Sequence, residues 1–281
     1  MRLGSGNDII HYHHTSLTNS QRKKRDEIRL KKLKERDSLS RVHDKKFSSM
    51  TLADIIMGPR SWKHRDSTGS LHVRNTVSKV LHRMNSKWKN PFVVVDATKS
   101  MSIYLQDLLV WQDSIKKSTP YIFFNDGDTK PRDQKLIGET GGFYPVTSND
   151  VQKITDKIKE ARHKGDGGES SENDLEALLE AQKYMNNDNQ LILIADNLSK
   201  VRDIELLHLL KTPVHIILCG SHFFSLNEQY LTIAYQTKGS VHTLNNDYFN
   251  LHDMRNGDKI IFDWSYYYLS NGIFSPSKWY R

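Results

Sequence analysis

The sequence predicts an α/β protein with a mostly parallel central sheet and helices on both faces, a Rossmann-like three-layer arrangement. Short, wholly apolar runs of strand length recur along residues 91–245, and segments with helical spacing of apolar residues separate most of them. Runs without polar alternation suit parallel strands that are buried on both faces. Strands that alternate with helices indicate a parallel sheet built from strand–helix–strand units.

Each predicted element follows from one of these two patterns. Four apolar runs are expected to form the core strands, and two shorter runs are expected to form outer strands: Phe92–Val95, Tyr121–Phe124, Leu191–Ala195 and Val214–Leu218, with Gly141–Tyr144 and Val241–Leu244 outside them. Five segments have helical spacing: Ser102–Lys117, Asn149–Lys164, Glu172–Met185, Ile204–Leu210 and Leu226–Gln236.

Two extensions flank this body. Before it, Leu71–Trp88 has apolar residues at helical spacing, which predicts a helix that docks on the body. After it, the aromatic run Lys259–Leu269 is followed by Asn271-Gly272 and a second apolar pair. Asn-Gly between such runs indicates a β-hairpin, so a C-terminal aromatic hairpin is expected. Core packing accounts for its aromatic residues, and an exposed docking ribbon is the alternative.

Charge divides the chain further. Of its 281 residues, 41 are Lys or Arg and 33 are Asp or Glu, a formal net charge of +8. Residues 1–46 hold 13 basic and 6 acidic side chains, residues 47–90 hold 8 and 2, and residues 91–281 hold 20 and 25. We therefore expect a basic arm (1–46, partly helical or disordered), a helical extension (47–90), the α/β domain (91–245) and a strand appendage (246–281).

Composition excludes several classes of protein. No run of 18 apolar residues is present, so no membrane-spanning helix is expected. The first 20 residues lack the apolar stretch of a signal peptide. The compartment stays open, cytoplasmic by default and cell envelope or periplasm if a signal has been removed. The single cysteine, Cys219, excludes an internal disulfide and a cysteine-cluster metal site.

Oxygen-bearing side chains follow two of the predicted core strands. Asp96 ends the first strand, and the hydroxyls of Thr98 and Ser100 follow it at alternate positions, where residues of a loop can point to one side. Asp196 ends another strand, and ligands of parallel sheets collect at this edge. Magnesium prefers oxygen ligands and keeps some of its water, so a few protein oxygens suffice. The pattern predicts a site for a hard cation.

These residues resemble the first loop of the metal-ion-dependent adhesion site of von Willebrand factor type A domains, bacterial members included. A glycine-rich loop before an Ala-Leu helix, Asp196 after its strand, and Ala234–His242 match further motifs of that family in order. The resemblance covers about residues 91–245. It implies bound Mg²⁺ or Mn²⁺, held here by Asp96, Thr98, Ser100 and Asp196. The second-loop ligand is either Glu169 or the hydroxyl of Ser170.

The resemblance also implies a function without a catalytic step, in which a protein partner offers a carboxylate to the metal. The alternative is a nucleic-acid- or anion-binding protein that acts through the basic residues 1–46 and has a degenerate metal site. A phosphoryl-transfer aspartate lacks its second acid at Asp96-Ala-Thr98, and Gly165–Gly168 lacks the Gly-Lys-Ser/Thr of a phosphate loop. Asn125–Asp128 indicates a turn, and no Ser–His–Asp set is recognisable in the sequence.

Overall fold

The computed structural model describes residues 75–165, 171–221, 225–262 and 265–277. All of them belong to one compact unit, Phe47–Arg281. The predictions for residues 1–74, for Glu169 and for Ser170 lie outside the described residues.

A seven-stranded sheet forms the centre of the described domain. Its strands, in spatial order, are β3 (Phe143–Ser148), β2 (Thr119–Phe124), β1 (Pro91–Asp96), β5 (Gln190–Asp196), β7 (Val214–Cys219), β8 (Ser240–His242) and β9 (Asp247–Tyr248). The five inner strands, β2 to β8 in that order, are mutually parallel, and the two edge strands are antiparallel to their neighbours. The carboxyl ends of the parallel strands therefore meet at one edge of the sheet.

Helices cover both faces of this sheet. They are α1 (Thr76–Met84), α2 (Ser102–Ile115), α3 (Val151–Lys164), α4 (Asp174–Gln182) and α5 (Glu228–Gln236). Alternate residues of β1 enter two separate apolar clusters: Phe92 and Val94 lie with α4 and α5, and Val93 and Val95 lie with α1, α2 and α3. The predicted α/β class with a mostly parallel central sheet is confirmed.

Two predicted helices differ in the structure. The helix predicted from Glu172 begins at Asp174, because Ser171–Glu172 forms a two-residue strand, β4, that pairs in parallel with β6 (Lys200–Val201). The segment Ile204–Leu209 is a 3₁₀-helix rather than an α-helix. The start of the helix at Asp174 is therefore set by backbone pairing with a distant segment. The local spacing of apolar residues does not predict such pairing.

Helix α1 packs against α2 and is anchored near both ends. The backbone N–H of Ser78 donates to Oδ2 of Asp107 on α2 at 2.9 Å, and Arg83 donates to the carbonyls of Thr243 and Leu244. The chain then reaches the start of β1 at Pro91.

A second, three-stranded antiparallel sheet follows the central one: β10 (Lys259–Phe262), β11 (Ser265–Ser270) and β12 (Ile273–Pro276). Asn271 and Gly272 form the turn between β11 and β12. Their φ angles of 50° and 76° lie in the left-handed region, which a tight two-residue hairpin turn requires. Tyr267, Leu269 and Phe274 are buried against the body. Within the described ranges, no helix has the length and apolar character needed to cross a membrane.

Candidate metal-binding site

Asp96, Thr98 and Ser100 lie together at the carboxyl end of β1. Asp96 is the last residue of the strand and is fully buried, and its Oδ1 accepts the backbone N–H of Thr98 at 2.7 Å. The hydroxyls of Thr98 and Ser100 are 3.4 Å apart. The loop therefore turns immediately after the strand and brings two hydroxyls beside one carboxylate.

Asp196 ends β5, which is the direct neighbour of β1 in the sheet. Its side chain is 8% exposed, and Oδ1 accepts the backbone N–H of Leu198 at 3.0 Å. Its charge acts on Asp96 and raises the pKa of that carboxyl. The two strand-ending aspartates of the sequence prediction are thus neighbours at one edge.

One oxygen of Asp96 lacks a donor. Among the described residues, Oδ2 of Asp96 is buried and has no hydrogen-bond partner. Burial raises the pKa of this carboxyl to about 7, and the charges of Asp196 and Asp126 add to that rise. A buried acceptor without a donor costs about 1–3 kcal/mol, which a cation would offset.

A further buried acid lies on β4. Glu172 is 3% exposed, and its Oε2 is buried without a hydrogen-bond partner in the described part of the chain. Burial raises the pKa of Glu172 to about 10, and the charge of Asp96 is the strongest of the four acids that add to the rise. The sequence pattern predicts Glu172 as part of a helix and does not identify it as a buried acid outside that helix. Its position three residues after Glu169 is the one feature of the sequence that could have drawn attention to it.

Two basic side chains pair with Asp126, an acid in the turn that follows β2. Its carboxylate is fully buried and pairs with Lys135 Nζ at 2.8 Å and with Arg202 Nη2 at 2.5 Å. Asp126, Gly127 and Asp128 all have positive φ, as expected for a turn. Asp126 is therefore neutralised by the protein itself, and the Asn125–Asp128 segment is a charged turn.

Two further acids form hydrogen bonds with backbone N–H groups around the start of α4. Asp203 accepts the backbone N–H groups of Leu175 and Glu176, at 3.2 and 2.7 Å. Glu176 accepts the N–H groups of Gly138 and Thr140, both at 2.9 Å, and so holds the loop after β2 on the start of α4. These acids are used by backbone donors, unlike the free oxygens of Asp96 and Glu172.

The donor set fits a hard divalent cation in its chemistry. A carboxylate oxygen without a donor, two adjacent hydroxyls and a second strand-ending carboxylate are ligand types that Mg²⁺ and Mn²⁺ accept. Across the described ranges, no group of three or more His, Cys, Asp and Glu side chains is arranged to hold a metal ion. A site here therefore depends on hydroxyl ligands as well as on acids.

A buried Ser–His–Asp arrangement lies elsewhere, on β8 and β9. His242 Nε2 is 2.6 Å from Ser240 Oγ, and His242 Nδ1 is 2.8 Å from Asp247 Oδ1. His215 Nδ1 contacts the same hydroxyl at 2.7 Å, and the edge of Trp88 packs on His242. Ser240 is 1% exposed, and its hydroxyl lies between two imidazoles. The network stabilises the sheet edge.

This network makes the domain sensitive to acid. Burial lowers the pKa of His242 and His215 to about 4, so between pH 6.5 and 4 the unfolded chain binds protons that the folded chain excludes. For His242 the shift corresponds to about 3 kcal/mol of folding stability that is present above pH 6.5 and lost toward pH 4. We expect His242→Gln to gain that much relative to wild type between pH 7 and pH 4.

Urea unfolding at successive pH values measures this difference. His208→Gln, at an exposed histidine, serves as the control and should keep the wild-type profile. Parallel stability profiles for wild type and His242→Gln would contradict the expectation.

Two open grooves lie at the opposite, amino edge of the sheet. One of about 790 Å³ is lined by Gln190, Pro213 and His215 among others, and one of about 550 Å³ includes Trp88 and Trp111. Neither contains any of the predicted metal ligands. The concave surface and the acid-rich edge are therefore different regions.

Comparison of the chain with protein-family models, with curated protein sequences and with solved structures finds no match. The fold and the site define the protein as an α/β protein with a mostly parallel sheet and buried acids at the carboxyl edge. The resemblance to von Willebrand factor A domains depends on the sequence motifs.

Proposed function

We propose that the domain binds Mg²⁺ or Mn²⁺ at the carboxyl edge of its sheet and uses the ion to bind a protein partner. Asp96, Thr98, Ser100 and Asp196 hold the ion, with one further ligand from the loop before α4. The observation that carries the proposal is the buried Asp96 oxygen without a donor, next to the paired hydroxyls of Thr98 and Ser100.

Charge and exposure support the binding role. Asp96 and Thr98 are buried, whereas Ser100 is exposed, so one of the two hydroxyl-bearing residues of the loop is open to solvent. When bound, the ion supplies an open coordination position for an oxygen of the partner, with a carboxylate as the expected donor. Binding of this kind needs no bond cleavage, and the domain acts as a non-enzymatic interaction module or scaffold.

Partner capture with and without EDTA tests the proposal. We expect the full-length chain to lose its bound proteins on chelation and to regain them with Mg²⁺, and the chain without residues 1–46 to behave in the same way. Capture that survives EDTA, falls steeply with salt and disappears with residues 1–46 would instead support nucleic-acid or anion binding through the basic arm.

A further inference from the structure

A chain of hydrogen bonds connects α1 to the groove of about 790 Å³ at the amino edge of the sheet. Its first link is Asp247, whose Oδ1 accepts from Arg83 Nη2 at 2.6 Å and lies 2.8 Å from His242 Nδ1. Ser240 Oγ then lies 2.6 Å from His242 Nε2 and 2.7 Å from His215 Nδ1. His215 lines the groove, so the chain of hydrogen bonds ends there.

The direction of each hydrogen bond in this chain follows from Asp247. Because Arg83 pairs with it as a carboxylate, it can only accept, and His242 Nδ1 must carry a proton. Neutral His242 accepts at Nε2, so the Ser240 hydroxyl donates to it. The Oγ atom then accepts from His215, whose proton is therefore on Nδ1. Both imidazoles are neutral at pH 7, since burial lowers the pKa of each to about 4.

His215 Nε2 is consequently a bare acceptor at pH 7. It has no hydrogen-bond partner among the described residues, and the ring is held beside Trp88 at 5.5 Å between centroids. When Nε2 binds a proton from solvent, the Nδ1 proton can move to Ser240 Oγ and the hydroxyl proton to His242 Nε2. The positive charge then lies beside the Asp247 carboxylate, and His215 presents an N–H to the groove.

The other side chains around this groove favour an anionic ligand. Within the described part of the chain its lining contains no Asp or Glu, and it includes Lys183 and Lys211. The amide oxygens of Gln182 and Asn186 accept backbone N–H groups at 2.9 and 3.0 Å, which leaves their NH₂ groups for a ligand. Donors therefore dominate the polar lining, and the groove has the size of a small-molecule site.

We propose that this groove binds a small-molecule oxyanion, and that binding takes up one proton through the hydrogen bonds from His215 to His242. The oxyanion accepts from the Nε2–H of His215 and from the lysine and amide donors of the lining. Asp247 compensates the charge that His242 gains, whereas Lys211 compensates the charge of the ligand. This site lies away from the candidate metal ligands and does not depend on them.

The groups that face His242 explain why proton uptake needs a ligand. Burial disfavours the charged imidazole most strongly, and Asp247 on β9 opposes burial through its hydrogen bond and its charge. Arg83 and Lys87 on α1 repel the added charge, and the charges of His242 and His215 oppose each other. An anion in the groove supplies the missing attraction, because it binds the N–H that His215 presents only after the proton has been taken up.

Calorimetric titration of sulfate into the full-length chain, at pH 7.5 and at pH 5.5, tests the proposal. Sulfate keeps its charge across this range, so any change in affinity comes from the protein. We expect binding to be at least about tenfold tighter at pH 5.5, with uptake of up to one proton per sulfate in buffers of different ionisation enthalpy. Acetate, titrated in the same way, distinguishes a carboxylate ligand from a tetrahedral oxyanion by the order of the two affinities.

Four variants separate the parts of the site. His215→Gln should bind sulfate weakly and equally at both pH values, because it cannot carry the proton. Ser240→Ala interrupts the hydrogen bonds and should lose most of the increase at pH 5.5. Lys211→Met, at an exposed position, should weaken binding at both pH values and keep the increase. His208→Gln, at an exposed histidine outside the lining, should behave as wild type.

Imidazole ¹⁵N shifts locate the proton directly, and thermal unfolding at both pH values shows that each variant is folded. With saturating sulfate at pH 5.5, we expect wild-type His242 to carry protons on both ring nitrogens. Neutral His242 in the sulfate complex would overturn the proposal, as would equal wild-type affinity at the two pH values or an unchanged increase in His215→Gln. Absence of binding of both sulfate and acetate would also overturn it.

Discussion

Asp96→Asn is expected to abolish binding of Mg²⁺ and Mn²⁺ and, at the same time, to make the metal-free protein more stable. The amide can still accept the Thr98 N–H, but it carries no charge for the ion. Raising an aspartate pKa from 3.8 to about 7, mainly by burial, corresponds to a cost of about 4 kcal/mol when the group is ionised. The cost is absent below pH 3.8 and is complete above pH 7.

The asparagine variant escapes this cost but keeps the desolvation of its amide, so we expect a net gain of about 2 kcal/mol at pH 8. Calorimetric titration and urea unfolding, both at pH 8, measure the two effects. Asp113→Asn removes an acid on α2 whose side chain is 59% exposed, and it should change neither quantity. Retention of metal binding by Asp96→Asn would exclude Asp96 as a ligand.

Arg202→Met is expected to lower the free energy of unfolding by about 3–5 kcal/mol. Asp126 is fully buried between Arg202 and Lys135, and removing one cation leaves a buried carboxylate only half compensated. Breaking a buried pair from one side is costly because the remaining charge stays out of water. The acid-rich surroundings increase the effect, since Asp126 also adds to the raised pKa values of Asp96 and Glu172.

The double variant Asp126→Asn/Arg202→Met separates this mechanism from simple loss of packing. Once the carboxylate is also neutral, we expect at least about 2 kcal/mol of the loss to return. Lys183→Met, in an exposed pair with Glu180, should change stability by less than about 0.5 kcal/mol. A double variant no more stable than Arg202→Met would mean that the guanidinium acts through packing and its backbone contacts.

The strand pattern and the ends of the strands could be read from the sequence because both depend on local order. The wholly apolar runs around Val94 and Leu193 became neighbouring buried strands, and the acids after them, Asp96 and Asp196, met at one edge. Asp96 and Asp196 lie at the same edge because their two strands pair in parallel. Those residues could therefore be named without knowing any contact between side chains.

Other parts of the site depend on contacts between distant segments. Glu172 lies beside the loop after β5 because a two-residue strand pairs with Lys200–Val201, and so short a strand has no periodicity. Arg202 neutralises Asp126 across 76 positions of the chain, which no spacing rule anticipates. The Ser240–His242–Asp247 contact needs the antiparallel strand β9, whose two residues look like loop in the sequence.

The packing of α1 has a consequence for where the folded unit begins. This helix precedes the first core strand, yet Val77, Val80 and Leu81 are buried in the same apolar cluster as α2 and α3. A fragment that starts at Pro91 would expose the partners of these side chains to water. The shortest fragment expected to fold therefore starts at or before Thr76, the first residue of α1.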